Sequence, residues 1–208
     1  SYAASVVGKM GGKEKKKSER SSSGQKSTTP NNPTTPDPFA EGIGEIKTIA
    51  KPEDVRDRIG RVVDGDKSIN YKMPVRKVTE TEAALVKELV GVDISGYTHK
   101  IDMNSIRHSM KRQGEGRETS PDQVGMTKED YQYIPDVINS PDRIIAGNDS
   151  KTKQKTLRYE KNIGGQIIVV EEVLPMNKTL ITKTAYKKSL SQALTDENIS
   201  RGHTSETV

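Results

Sequence analysis

The spacing of apolar residues changes once along this chain, and that change constrains the fold more than any other feature. Between residues 46 and 140, apolar residues recur every three or four positions, as in TEAALVKELV, which is the period of a helix. From residue 143 onward the pattern alternates, and QIIVVEEVL is rich in the β-branched residues typical of strands. Helices followed by strands predict an α+β fold, with N-terminal helices packed on one face of an antiparallel sheet.

Four segments carry the strand pattern, and short turn-forming sequences join them. Such connections indicate a four-stranded antiparallel meander, with one face against the helices and the other open to solvent or a ligand. The predicted strands are 143–147, 155–161, 166–174 and 179–187.

Residues that favour helix ends divide the first part of the chain into helices. Thr79 and Glu82 have the spacing of a capping box, and Gly91 follows as a stop. Proline disrupts a helix interior, so we expect a kink or restart where one occurs inside a helical pattern. The predicted helix starts are Pro52, Thr79, Asp102 or Asn104, and Thr127, with the restart at Pro135.

Composition separates a loose N-terminal part from one compact domain. Only 30% of the residues are apolar, with no Trp and one Phe, so the chain has enough apolar surface for one core of modest size. Residues 11–45 are mainly Ser, Thr, Pro, Gly and Lys, which is typical of a disordered linker. The predicted divisions are a disordered extension (1–45), a short helical segment before the domain (46–78), the α+β domain (79–188) and a flexible tail (189–208).

The sequence contains no cysteine and no long apolar run. Without cysteine there is neither a disulfide framework nor a thiolate zinc site. No segment has the length that spans a bilayer or the pattern of a signal peptide, so we expect a soluble chain with no membrane partner. The chain starts with Ser1 rather than Met, which hints at a piece of a longer protein.

Positive charge is concentrated in the strand-rich part of the chain. The formal net charge is +5, and residues 141–188 carry five more Lys and Arg than Asp and Glu. A basic surface on the predicted sheet favours an anionic partner.

The helical segment DMNSIRHSMKRQGEG contains one of the three histidines of the chain. Met103 and Ile106 share an apolar face, whereas His108 lies on another face with Lys111. Imidazole takes and gives a proton near neutral pH, and neighbouring cations suit an anionic substrate. Taken alone, His108 is either an acid–base catalyst or a surface histidine without a chemical role, and both interpretations stay open.

A second candidate surface lies on the last predicted strand. Alternation predicts that Thr182, Thr184 and Tyr186 share one face, opposite Ile181 and Lys183. A row of hydroxyls on a sheet is either solvated or directed at a ligand.

Other catalytic patterns have no support in the sequence. The acidic pairs at 53–54 and 129–130 lie in the first turns of helices, where they offset the helix dipole. Glu171 and Glu172 are neighbours on a strand and therefore point to opposite faces. The three histidines show no metal-ligand spacing, so no metal site is predicted.

The order of these elements resembles the phage-associated members of the barnase, EndoU, colicin and RelE-like nuclease superfamily, the BECR fold. In that pattern a helix carries a motif of the type apolar-x-His-x-x-Lys/Arg-His-Gly, a Pro-Asp segment follows, and four antiparallel strands end in a Thr-x-Tyr-like motif. The resemblance covers roughly residues 79–188, and Gln113 stands where the pattern has a second histidine. The matching positions are Ile106, His108, Lys111, Arg112, Gln113, Gly114, Pro141, Asp142, Thr184 and Tyr186.

The resemblance implies a metal-independent endoribonuclease toxin domain without a cofactor. Such an enzyme cleaves RNA by attack of a 2'-hydroxyl on the adjacent phosphorus, giving a 2',3'-cyclic phosphate. It makes His108 the general acid or base, and Thr184 and Tyr186 hydrogen-bonding partners of the phosphate or ribose. Lys111, Arg112 or Arg158 would neutralise the phosphate, and the implied substrate-binding residues are Arg158, Lys183 and Thr182.

The resemblance also implies partners and a setting. These are an RNA substrate, an inhibitor or immunity protein, and a larger phage or toxin-delivery protein to which the polar extension tethers the domain. The chain would then be phage-associated or delivered into the cytoplasm of a target cell. Two alternatives stay open: a non-catalytic structural or interaction module of a phage particle, and a domain that binds nucleic acid without cleaving it.

Overall fold

A computed structural model describes residues 48–118, 121–151 and 153–189 of the chain. The predicted extension (1–45) and all but the first residue of the predicted tail (189–208) lie outside these residues. The helices are α1 (Pro52–Val63), α2 (Glu80–Val90), α3 (Met103–Gln113), α4 (Lys128–Gln132) and α5 (Ile134–Asn139). The strands are β1 (Lys72–Lys77), β2 (Thr98–Asp102), β3 (Gln123–Val124), β4 (Arg143–Ala146), β5 (Thr156–Asn162), β6 (Gln166–Leu174) and β7 (Thr179–Lys188).

The sheet is mixed and larger than the sequence predicted. Strands β4 to β7 form the predicted antiparallel meander, but β2 pairs in parallel with β7, and β1 pairs antiparallel with β2. The order is β1-β2-β7-β6-β5-β4, and the short β3 pairs with the other end of β7, which makes seven strands among the described residues. The prediction of a purely antiparallel four-stranded sheet was therefore wrong in size and in strand direction.

Three strands were missed, and two of them, β1 and β2, have clear physical reasons for lacking a recognisable pattern. β1 contains Pro74, which cannot donate to a ladder and is tolerated on an edge strand, and a register shift follows it. β2 reads THKID, a short charged segment that runs into the predicted helix start at Asp102 or Asn104. Its pairing with β7 joins residues some eighty positions apart, and local periodicity carries no information on such a contact.

The helix boundaries confirm the predictions from capping residues. The Thr79 hydroxyl accepts from the Glu82 amide at 3.2 Å, the Glu82 carboxylate accepts from the Thr79 amide at 3.4 Å, and Gly91 ends α2 in the left-handed conformation with φ of 73°. Thr127 caps α4 in the same way, and α5 restarts with Pro135 in its first turn. Among the residues described, none of the helices combines the length and apolar character needed to cross a bilayer.

The helices cover one face of the sheet, which we call the inner face. Tyr159, Val169 and Ala185 lie opposite one another on β5, β6 and β7 and are fully buried in one core with Ile106 and Ile134. The segment that precedes residue 79 shares this core, because Val55, Ile59 and Met73 belong to it. The side chains at the alternate strand positions project from the opposite side of the sheet, which we call the outer face.

The edge of β7 that faces away from β6 is completed in its middle by a side chain rather than by a strand. On the side of β7 away from β6, β2 pairs with residues 179–181 and β3 with residues 187 and 188, so among the described residues no strand lies beside the middle of this edge. Ser109 of α3 occupies this gap: its hydroxyl donates to the Ala185 carbonyl at 2.7 Å and accepts from the Ala185 amide at 3.2 Å. Both residues are fully buried, so these bonds satisfy backbone groups that water does not reach.

A buried ionic cluster attaches α2 to the inner face. Besides capping its helix, Glu82 accepts from Arg76 at 2.5 Å and from the Tyr159 hydroxyl at 2.8 Å, and lies 3.0 Å from Nε2 of His99. The other ring nitrogen of His99 lies 2.6 Å from the Glu171 carboxylate, and His99 and Glu171 are both 0% exposed. One imidazole thus bridges two carboxylates from α2 and β6.

The charges in this cluster stabilise one another. Burial lowers the pKa of His99, but the neighbouring Glu171 and Glu82 outweigh it and raise that pKa above its ordinary value. Burial also opposes ionisation of Glu82, yet hydrogen bonds from His99 and Arg76 lower the pKa of Glu82 to about 2. Burial and the two carboxylates raise the pKa of Tyr159 well above its ordinary value, so its hydroxyl stays a donor.

We expect the free energy of unfolding to fall as the pH rises from about 6.5, the pKa of an unfolded histidine, into the alkaline range. Folding raises the pKa of His99, so the stabilisation is complete below the unfolded pKa and is lost as the pH passes the folded one. Urea unfolding at several pH values in this range measures how the free energy of unfolding depends on pH. Glu171→Gln keeps the shape and removes one charge, so its stability should depend less on pH. An equal pH dependence in both proteins would contradict the ion pairing.

Ser109→Ala should lower the free energy of unfolding by about 1–3 kcal/mol, because it leaves buried backbone groups of Ala185 without partners. Ser105→Ala on the same helix is the control and should stay within about 0.5 kcal/mol of the parent. Urea unfolding of the three proteins gives both values. Equal losses in the two variants would show that Ser109 does not close the strand edge.

Candidate active site

His108 lies on the solvent side of α3, as predicted, and its neighbours determine that orientation. Successive residues of a helix are about 100° apart, so four consecutive side chains point in four directions. Ile106 enters the core, Arg107 donates to the carbonyls of Asp66 and Ile69, and Ser109 meets β7. His108 therefore projects outward between the loop side and the β7 side of the helix, and it is exposed.

Lys111 and Arg112 share the exposed surface of α3 with His108. They follow His108 by three and four positions, which brings side chains to the same side of a helix. Arg112 lies toward the β7 side and Lys111 toward the loop side. Both also lie in the last turn, where cations offset the helix dipole, so their presence has a structural explanation as well.

Thr184 and Tyr186 lie together on the outer face of β7. Thr184 is opposite Val170, which is opposite Arg158, so these three form one row across the sheet. Tyr186 belongs to the next row, opposite Ile168. The Thr184 hydroxyl lies 3.5 Å from that of Ser109, so the strand face and the helix that bears His108 meet at this point.

Thr182 does not share that face, which corrects the predicted row of three hydroxyls. The register places Thr182 opposite Glu171 and Thr184 opposite Val170, leaving Lys183 as an extra residue in a bulge. A bulge shifts the alternation by one, so Thr182 is fully buried on the inner face. Lys183 stays exposed, and its Nζ lies 3.0 Å from the Glu172 carboxylate.

A charged cluster occupies the outer face farther from β7. Glu160 is 2% exposed and lies opposite Arg143, 3.5 Å from its Nε. Its oxygens accept from Arg158 at 2.6 Å and from the Gln166 side chain at 2.9 Å. Two guanidinium groups therefore share one carboxylate, and the cluster keeps a net positive charge.

Several residues of this site were missed from the sequence. Ser109 lies three positions after Ile106, within the apolar register of α3, and a polar residue at such a position is the sequence sign of a buried hydrogen bond. No pattern in the sequence marks Glu160, because its contact with Arg143 depends on how β4 and β5 pair. Across the described ranges, no group of three or more His, Asp or Glu side chains is arranged to hold a metal ion.

The chain is similar to a known protein family. A family model described as phage-Barnase-EndoU-ColicinE5/D-RelE like nuclease3 matches residues 76–195, more than half of the chain. No curated protein and no solved structure matches the chain. The matched span contains α2, α3 and the whole meander, and with them His108, Thr184 and Tyr186. The chain belongs to the phage-Barnase-EndoU-ColicinE5/D-RelE like nuclease3 family, whose membership implies a toxin-like nuclease with a nucleic-acid substrate.

Proposed function

We propose that this domain is a metal-independent endoribonuclease whose reaction takes place where α3 meets the outer face of β7. The observation that carries the proposal is the contact through Ser109, which holds the helix bearing His108 against the strand bearing Thr184 and Tyr186. A rigid contact of this kind gives catalytic side chains a fixed separation, which positional catalysis requires.

The proposed reaction moves one proton at each end of the scissile bond. The 2'-hydroxyl of RNA loses its proton and attacks phosphorus, the bond to the 5'-oxygen breaks, and that oxygen receives a proton. His108 serves as the general base or the general acid. Lys111 and Arg112 stabilise the negative charge that develops on the phosphate oxygens, while Thr184 and Tyr186 donate hydrogen bonds to the phosphate or ribose.

The charge of the outer face supports an anionic substrate. On β4 to β7 this face carries two acidic residues against a larger number of cations, and Arg158 and Lys183 are its proposed substrate-binding members. Phosphate contacts by such side chains make affinity sensitive to salt. The cations concerned are Arg143, Arg158, Lys183 and Lys188, and the acids are Glu160 and Glu172.

The biological setting of the proposal is a toxin domain carried by a larger phage or toxin-delivery protein and restrained by an inhibitor protein. The phage origin named in the family description supports this setting. The composition of residues 11–45, rich in Ser, Thr, Pro and Lys, suits a tether between a toxin domain and its carrier.

One observation favours a nucleic-acid-binding domain without catalysis as the second candidate. Gln113 stands where the family pattern has another histidine, and its side-chain oxygen is buried without a hydrogen-bond partner in the described part of the chain. An amide does not exchange protons near neutral pH, so an enzyme of this kind needs its second proton-transfer group elsewhere.

His108→Ala should lower the rate of RNA cleavage by the full chain in EDTA by about 10²- to 10⁴-fold, because a proton-transfer group is lost. The measurement is the appearance of cleavage products that end in a 2',3'-cyclic phosphate, identified by mass. Lys87→Ala on the exposed side of α2 is the control and should cleave at the parent rate.

The alternatives give other results in the same assay. RNA that the parent chain leaves intact but binds in a salt-dependent way identifies a binding domain. RNA that is neither cut nor bound favours the structural or interaction module. Cleavage by His108→Ala at the parent rate contradicts the assigned role of His108.

Thr184→Val removes a hydroxyl and keeps the shape of the side chain, so kcat/KM for RNA should fall by about tenfold through loss of one hydrogen bond to a charged group. Thr81→Val on α2, an exposed position, is the matched control. Initial rates and melting temperatures of both variants should be measured together. An unchanged rate in Thr184→Val would remove the β7 face from the reaction centre.

A further inference from the structure

The outer face contains a pair of arginines, Arg143 and Arg158, that lies away from the α3–β7 contact. Arg143 and Arg158 both approach Glu160, which they cover so that only 2% of it is exposed, while their own side chains are 36% and 27% exposed. Their Nε atoms are buried without a hydrogen-bond partner within the described residues, so a ligand can reach only the exposed part of each side chain. Two guanidinium groups that share one carboxylate at a sheet surface keep a net positive charge, which has the chemistry of a phosphate-binding site.

This pair lies too far from β7 to bind the reacting phosphate as well. Arg158 is two strands away from Thr184 in the same row, roughly 10 Å at the spacing of a sheet, and Arg143 is one strand farther. Arg158 is also held in place by its 2.6 Å bond to Glu160. A phosphate bound here is therefore a different phosphate of the same nucleic-acid strand.

The surface between the two positions suits an unpaired base. Val170 lies there on the outer face, with Tyr186 beside it on β7, and both are partly exposed. A tyrosine ring and an aliphatic side chain accept the flat face of a base by stacking and contact, and bases are available for this only in single strands.

We propose that the substrate is single-stranded RNA that crosses the outer face from β7 toward β4, with a second phosphate bound by Arg143 and Arg158. This inference rests on the proposed function, because it takes the α3–β7 contact as the place of cleavage. It adds a requirement for substrate length, since a substrate with one phosphate cannot bind at the α3–β7 contact and at the two arginines at the same time.

Two substrates of different length test this directly. One is a dinucleotide with a single phosphate, and the other is a hexanucleotide of deoxynucleotides with one central ribonucleotide, so both contain one cleavable bond. For the full chain we expect the hexanucleotide to be the better substrate. Arg143→Ala should lower kcat/KM for the hexanucleotide by about tenfold, the value of one charged hydrogen bond, and leave the dinucleotide unchanged.

Lys128→Ala is the matched control, because Lys128 also pairs with an acid but lies on α4, over the inner face. It should leave both rates unchanged. Arg143→Gln, which removes the charge and keeps most of the side-chain length, provides a second variant if Arg143→Ala lowers the melting temperature. Equal losses on both substrates, or no loss on either, would overturn the second phosphate position.

A binding measurement distinguishes an error in this inference from an error in the proposed function. An all-deoxy hexanucleotide cannot be cleaved by attack of a 2'-hydroxyl, and its affinity is measured by fluorescence anisotropy at several salt concentrations. Loss of one phosphate contact should reduce the slope of log affinity against log salt by about 0.7 in Arg143→Ala. If the chain cuts no RNA yet shows this change, the reaction is wrong and the phosphate site stands. If it cuts RNA and the slope is unchanged, the phosphate site is wrong.

Discussion

The structure depends on how the edge of β7 is completed. On its edge away from β6, this strand pairs with β2 at one end and with β3 at the other. Between them, the buried amide and carbonyl of Ala185 form hydrogen bonds with the hydroxyl of Ser109. Unsatisfied backbone groups in a core cost as much as a lost hydrogen bond, so the serine is required where no strand is present. The same contact fixes α3, and through α3 it fixes the exposed side chains that the proposed reaction uses.

The buried cluster around Glu82 has a comparable role for α2. Its carboxylate caps the helix and also meets side chains from β1, β2 and β5, so one group joins local and tertiary structure. Buried charges are costly unless they are paired, and here Arg76 and His99 supply the positive partners of Glu82 and Glu171. The cluster is thus conditional on correct assembly of the whole inner face.

Local information in the sequence was sufficient for the helices and for the meander. Capping residues such as Thr79 and Thr127, together with apolar periodicity, predicted the helix starts, and alternation predicted β4 to β7. The outward position of His108 followed from the same periodicity. What was missed depends on contacts between distant segments: the pairing of β2 with β7, the bulge that turns Thr182 inward, and the convergence of two arginines on Glu160. The chemical roles of His108, Thr184 and Tyr186 stay predictions.

The parallel pairing of β2 with β7 has a consequence for when the domain becomes complete. β2 lies in the first half of the chain, and its neighbours in the sheet are β1 and β7, the last strand among the described residues, which also carries Thr184 and Tyr186. A ribosome makes the chain from its N-terminus, so β2 can pair with β1 early, but its second edge has no strand partner until β7 has been made. The surface that carries Thr184 and Tyr186 therefore forms only after a strand made some eighty residues later than β2 has joined the sheet.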